Sequence, residues 1–342
     1  MIGPCAEALD RATDACIDFL LQHQCADGRY VDWDLPPGSS SGWTTGYVGC
    51  RLASLRGRFR PRVAAAVRSA ARWLIDNEAA GGGWAYNDSV DCDADSTANA
   101  MLFLSLVGSP VAHRSEACLM SFRRPDGGFS TYRADEGLGS WGLSHVDVSA
   151  LCGCALLTRH DRRDAALEST IAYVAGQRNR AGLWDSFWWR SPLYATRSSL
   201  AFLRAADAPI DLASTRHGLH SVDAGNAFER ALLLDSLLLA GVEVGDDRIS
   251  ALLESLMEEQ LGDGSWISEP ILRVTRRDCI DPWNCADPGP LHADARRLFT
   301  TATVLAALGS ARRCLPASET PRARDRRRAA IAARLRPRCD GG

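Results

Sequence analysis

Lysine is absent from this chain of 342 residues, and all 39 basic side chains are arginine. A Schiff-base lysine and a phosphate-loop lysine are thereby excluded. An excess of charge of either sign is lacking too: the net charge is −3, which gives no overall case for a nucleic-acid partner. No apolar run approaches the roughly 18 to 20 residues needed to cross a bilayer. Twelve cysteines are present, but no C-x-x-C pair is among them, and several fall inside apolar helical stretches (Cys16, Cys50, Cys118, Cys152, Cys154). The first residues, MIGPCAEALDRATDACIDFL, carry acids where a signal peptide needs basic and then apolar residues. Together these absences describe a reducing, cytoplasmic protein with mostly buried free thiols. The composition, 46% hydrophobic and 24% charged, suffices for a large core.

What the chain does have is an internal repeat. Five places share a helical stretch, a glycine followed by an aromatic, and a second helical stretch: CADGRYVDW from Cys25, AAGGGWAYN from Ala79, RPDGGFSTY from Arg124, RAGLWDSFW from Arg180 and LGDGSWISE from Leu261. The segments before them, such as 63–77 and 164–177, place apolar residues at i, i+3, i+4 and i+7, the mark of one buried face. The segments after them (44–55, 96–107, 147–157, 193–205 and 299–308) are apolar all round, hence buried all round. The first set predicts an outer ring of helices and the second an inner ring. A sixth pair, with the glycine–aromatic signal worn away, reads as 212–220 and 226–240. Six pairs close an all-α (α/α)6 toroid over residues 5–315; an open helical solenoid is the alternative. The glycine is expected to end each outer helix in a left-handed conformation, with Trp184 and Trp266 as structural plugs. Gln177 and Gln260 are placed to bond helix-end groups.

Gln260-x-x-x-Gly264-Ser265-Trp266 and Gln177-x-x-x-x-Gly182-Leu183-Trp184 resemble the QW repeats of squalene–hopene cyclases. Gly82-Gly83-Trp84-Ala85-Tyr86 followed by Asp93-Ala94-Asp95-Ser96-Thr97-Ala98 resembles the G-G-W-A-[FY] turn and D-x-D-D-T-A acid motif of class II terpene cyclases. Gly127-Gly128-Phe129-x-x-Tyr132, Asp147-Val148-Ser149-Ala150 and Leu193-Tyr194-Ala195-Thr196 continue the likeness, which covers roughly residues 60–310. The resemblance implies an enzyme, an isomerase or lyase of isoprenoid biosynthesis, that protonates an alkene or epoxide of a terpene, meroterpenoid or prenyl diphosphate. Asp95 would be its acid, Asp93 the partner and Ser96 a hydrogen-bonding neighbour. Crowding of Asp88, Asp91, Asp93 and Asp95 at the mouth of an inner helix suits an acid kept protonated until use. Aromatic faces would steer the cation. The candidates near inner-helix starts are Trp43, Trp84, Tyr86, Tyr132, Trp141, Trp188, Trp189, Tyr194 and Phe228, many of them also packing residues.

Two positions depart from that family. Its last motif acid is Ser96 here, also an ordinary helix-start residue. Where squalene cyclases place a supporting His, this chain has Leu151, with His145 six residues earlier as the candidate substitute from the loop. The D-D-x-x-D motif of ionisation-type terpene synthases is absent. No cofactor or metal is expected, with Mg²⁺ entering only for a diphosphate substrate. The zinc prenyltransferase β subunit is a rival, but Asp223-Ala224-Gly225 and Phe299-Thr300-Thr301 lack its Cys and His. A non-catalytic isoprenoid- or lipid-binding ring is a second rival. The loop 267–296, with Asp278, Cys279, Asp281, Cys285, Asp287 and His292, reads as a solvated lid. A small isoprenoid is the expected partner, with a homodimer as one way to close a single ring. The tail 316–342, net +5 from eight Arg against three acids, reads as solvated and disordered, in at most peripheral contact with a membrane.

Overall fold

The computed structural model describes residues 6–134, 137–159 and 163–315, so the expected Arg-rich tail lies outside the described residues. Among these, twelve α-helices follow one another in pairs. The pairs are α1 (Ala6–Gln22) with α2 (Gly42–Ala53), α3 (Phe59–Asp76) with α4 (Ala94–Leu106), and α5 (His113–Met120) with α6 (Val146–Leu157). The remaining three are α7 (Ala165–Gly176) with α8 (Leu193–Ala205), α9 (Leu212–Ser221) with α10 (Ala227–Leu239), and α11 (Asp247–Glu258) with α12 (Leu298–Cys314). The second member of each pair is the inner one. Inner α2 buries ten of its twelve residues, whereas outer α5 buries three of eight.

The inner helices pack successively, α2 on α4, α4 on α6, α6 on α8, α8 on α10 and α10 on α12, and α12 returns to α2. The toroid is therefore closed. Its seam is stitched by the Tyr47 and Thr303 hydroxyls at 2.7 Å, and by the Gln260 amide donating to the Ala12 carbonyl at 2.9 Å. The worn repeat folds like the others as α9 and α10, where Asp211 and Asn226 accept from the amides of Ser214 and Glu229.

The glycine–aromatic turns do more than end helices. Gly28, Gly82, Gly127, Gly182 and Gly264 all have φ between +81° and +98°, but each lies about six residues beyond its outer helix. A Cβ there would fall 2.2 to 2.6 Å from a main-chain carbonyl of the next outer helix, at Ser69, Arg114, Ser169, Ser214 and Ala15 respectively. Glycine is required because each turn is pressed against its neighbour around the ring. The last of these, Gly264 on Ala15, closes the circle.

The aromatic that follows is clamped by its ring, its backbone or, in Trp84 and Trp184, both. Indole N–H groups of Trp84, Trp184 and Trp266 donate to the carbonyls of Leu74, Val174 and Leu256, each in the last turn of its own outer helix, at 2.6 to 2.8 Å. These carbonyls lie in the turn where the α-helical ladder of amides runs out. Thr45, Thr97, Ser149 and Thr196, in the first turn of an inner helix, hold the backbone N–H of Tyr30, Trp84, Phe129 and Trp184. Each turn thus fixes the depth at which the next inner helix begins. Gln260 donates to Gly264 and to the interior of α1 rather than to a helix end.

Candidate active site

All six inner helices point their N-termini to the same end of the toroid, and a cavity of about 790 Å³ opens there. Two short hairpins help enclose it. The first pairs β1 (Asp32–Leu35) with β2 (Gly38–Ser40), and the second pairs β3 (Leu272–Arg273) with β4 (Leu291–His292). Leu35, Pro36 and Pro37 line the cavity from the first, and Leu272, Arg273, Val274 and Arg277 from the segment around the second. The 267–296 segment is pinned rather than a solvated lid. Arg273 N–H donates to the Trp188 carbonyl at 2.6 Å, the Arg277 carbonyl accepts from Ser140 N–H at 2.7 Å, and Thr275 donates to the Phe187 carbonyl at 2.8 Å.

The acids sit at the start of α4. Asp93 is its N-cap: one carboxylate oxygen accepts from the Ser96 amide and the other from the Ser96 hydroxyl, both at 2.7 Å. Ser96 is thus tied to Asp93. Burial pushes the Asp93 carboxyl up to about 6 against these bonds. Asp95 follows in the first helical turn and lines the cavity. Burial, then the neighbouring Asp93 and Asp147 carboxylates, hold the Asp95 carboxyl well above the ordinary carboxylate range. Asp88 and Asp91 stand at the cavity mouth.

Asp147, at the start of α6, enters the cavity as a third buried carboxylate. It accepts from the amides of Phe187 and Trp188 at 3.1 and 3.2 Å, and burial lifts it to about 6. Its motif was visible in the sequence, but its approach to Asp95 depends on α4 and α6 packing side by side. Asp32 has a comparable anchoring task on the far side. It accepts from the amides of Arg296, Leu298 and Phe299 and so caps α12.

Seven of the nine aromatic candidates line the cavity: Trp43, Tyr86, Tyr132, Trp141, Trp188, Trp189 and Tyr194. They form two stacks. Tyr132 lies 5.8 Å from Trp141, which meets Trp188 edge-on at 5.3 Å; Trp189 stacks on Tyr194 at 4.3 Å and approaches Trp43 at 6.2 Å. Several polar heads are engaged by protein atoms. Tyr86 hydroxyl donates to the Trp33 carbonyl, Trp141 indole to the Thr275 carbonyl and Trp188 indole to the Thr131 hydroxyl, at 2.6 to 2.8 Å. Those three rings therefore offer π surface to the cavity without a free polar head.

Three sequence candidates are placed elsewhere. Trp84 does not line the cavity, because its ring is spent capping α3. Phe228 lies behind Trp189, stacked at 5.1 Å, and packs rather than lines. His145 is the N-cap residue of α6, but its ring stacks on Phe187 at 3.5 Å and its Nε2 bonds the Ser140 carbonyl at 2.9 Å. Burial depresses it to about 3, so it stays neutral, and it reaches neither Asp95 nor the cavity. It holds the loop carrying Phe187 and Trp188.

Arg273 and Arg277 were missed, since one pair of arginines among 39 carries no signal by itself. Arg277 lies over the Trp141 ring at 4.9 Å, and Arg273 is almost fully buried, which lowers its proton affinity. Among the described residues, no group of three or more His, Cys, Asp or Glu is placed to hold a metal ion. No described helix is long and apolar enough to cross a membrane.

No family model matches the sequence, and no curated protein matches it significantly. Solved structures do. The type II terpene cyclase MstE from Scytonema superposes with a TM-score of 0.78 at 25% identity, over 91% of this chain and all of the other. A protein from Actinoplanes gives 0.78 at 28% identity, over 89% of this chain and 99% of the other. The ent-copalyl diphosphate synthase from Streptomyces platensis gives 0.59 at 20% identity, over 79% of this chain and 50% of the other. MstE has also been solved in complex with its substrate, geranylgeranyl dihydroxybenzoate. In its closed double ring of helices, this chain has the class II terpene cyclase-like fold.

Proposed function

We propose that this chain is a class II terpene cyclase that starts cyclisation of an isoprenoid by proton transfer from Asp95. The observation that carries the reading is the position of Asp95: a carboxyl whose proton affinity is raised by burial and two carboxylate neighbours, opening into a cavity walled by aromatic faces. The Asp95 proton would pass to one carbon of a terminal alkene, whose π electrons form the new C–H bond. The adjacent carbon is left cationic. Internal alkenes then attack in turn, each consuming one π bond and forming one C–C bond. Loss of a proton or capture of water ends the sequence.

The cavity supports the later steps as well. Each aromatic face can stabilise a passing cation by on the order of 0.5 to 2 kcal/mol once water is excluded. Once its proton is given up, the Asp95 carboxylate is the nearest anion to the first cation, with the Asp93 and Asp147 carboxylates beside it. Asp93 is held by Ser96 and Asp147 by two amides, so neither is free to rotate in and trap it. Arg273 and Arg277 on the same wall fit a substrate with an anionic head, a carboxylate or a diphosphate, and MstE's substrate is likewise a prenylated aromatic acid. With a diphosphate, Mg²⁺ would accompany the substrate rather than reside in the protein.

The test is Asp95→Asn. Cyclisation of a geranylgeranylated dihydroxybenzoate, or of geranylgeranyl diphosphate with Mg²⁺, is expected to fall at least 10³-fold, while binding and melting temperature stay near wild type. Retained turnover would place the proton source elsewhere. Arg277→Ala is expected to raise KM several-fold with a smaller effect on kcat, read by steady-state kinetics.

A further inference from the structure

One cluster of nucleophilic side chains lies outside the cavity and has no part in the chemistry above. Cys92 immediately precedes the acid motif, on the strand-like segment that pairs Ala85 with Cys92. Cys118 belongs to the outer helix α5, so the two residues come from different elements. Their thiols are neighbours. The Gly82–Gly83 turn holds them together: Cys92 Sγ donates to the Gly82 carbonyl at 3.7 Å, and a Cβ on Gly83 would fall 2.6 Å from Cys118 Sγ. Arg133 completes the cluster. Its Nη2 donates to Cys118 Sγ at 3.6 Å, and it is held by Ser121 at 2.9 Å and by the Phe122 ring at 4.8 Å.

We propose that Cys92 and Cys118 are a peroxide-sensitive dithiol, with Cys118 as the attacking sulfur and Cys92 as the resolving one. The neighbouring Cys92 and the Arg133 guanidinium both favour the Cys118 thiolate and lower that group from its ordinary value. The thiolate attacks one oxygen of a hydroperoxide; the O–O bond breaks and the electron pair leaves as hydroxide, which takes a proton. The Cys118 sulfenic acid then condenses with the Cys92 thiol, forming the S–S bond and releasing water. Two thiols lose two electrons and two protons, and one peroxide is reduced to two waters. The bond would tether α5 to the residue next to Asp93.

The chain contains its own comparison. Cys279 and Cys285 are also neighbours, but among the described residues no arginine donates to either sulfur as Arg133 does to Cys118, and burial pushes Cys279 up to about 11. The test treats the full chain with one equivalent of hydrogen peroxide, blocks remaining thiols and maps peptides by mass spectrometry. The expected product is a peptide pair joined through Cys92 and Cys118, 2 Da lighter than the thiols and released by dithiothreitol. Arg133→Gln, at an exposed position outside the cavity, is expected to slow its formation several-fold at pH 7. Cys92→Ser is expected to leave a Cys118 sulfenic acid that dimedone captures. Prior closure of Cys279–Cys285, or a Cys118 that stays alkylatable in the wild-type chain, would overturn the proposal. None of these readouts depends on cyclisation.

Discussion

Three acids, Asp93 and Asp147 buried and Asp95 half-buried, share one end of the ring, and their surroundings separate their roles. Asp93 and Asp147 accept hydrogen bonds that hold their carboxylates in place, while Asp95 lines the cavity with its proton affinity raised most by burial. The sign of the pH dependence follows. A carboxyl whose folded value lies above its unfolded value, about 3.9 for Asp, contributes stability at low pH that is lost as pH rises through the folded value. For Asp93 and Asp147 that loss begins near the unfolded value and is largely complete just above pH 6. The melting temperature should therefore carry a component that falls between about pH 4 and pH 7. Asp93→Asn, which keeps an N-cap side chain, should reduce it and leave the Asp147 share; an unchanged profile by differential scanning calorimetry would contradict the assignment. Activity has the same direction. It needs Asp95 protonated, so kcat/KM should decline on the alkaline side as Asp95 ionises. At this scale the acid pair was legible because Asp93 and Asp95 lie two residues apart at a helix start, which fixes their backbone relation. His145 was misread because sequence spacing says how far a side chain lies from a motif and not which way it points.

The elements are spaced by their turns. Each glycine–aromatic turn touches the next outer helix through a main-chain carbonyl, caps its own outer helix through an indole or positions the next inner helix through a hydroxyl. Gly264→Ala would set a Cβ 2.2 Å from the Ala15 carbonyl at a backbone φ of +89°. The expected loss is roughly 2–4 kcal/mol from backbone strain plus displacement of α1. Gly81→Ala, with nothing within 4 Å, is the control and should stay within about 0.5 kcal/mol. Urea denaturation of both variants checks the contrast. Trp266→Phe removes only the indole donor to Leu256 and should cost on the order of 1 kcal/mol. The turns were readable as punctuation, and Trp184 and Trp266 as structural. The grouping of Trp84 with the cavity aromatics was not, because a capping tryptophan and a lining tryptophan look alike in sequence.

At the scale of the whole molecule, the decisive contact is the return of α12 to α2 and α1. An open array of repeats can unfold from its ends, pair by pair. A closed ring has no end, so this chain should unfold in a single cooperative transition. Coincident near- and far-ultraviolet circular dichroism curves would show it, whereas a frayed early phase would point to an open solenoid. Closure also makes the cavity. Its walls draw on α2, α4, α6 and α8, on both hairpins and on the 186–190 loop, which are joined only once the ring is complete.

Read alone, the amino-acid order determined the helix pairs, the outer or inner place of each helix, the number of repeats and the site of the acid motif. Those properties are local: hydrophobic period and turn chemistry act within a few residues. Tertiary structure decided which aromatics line the cavity, that Asp147, Arg273 and Arg277 join Asp95 there, and that His145 does not. The physical reason is that a side chain's neighbours across the ring are set by how helices from distant segments pack and by which polar atoms that packing leaves in need of partners.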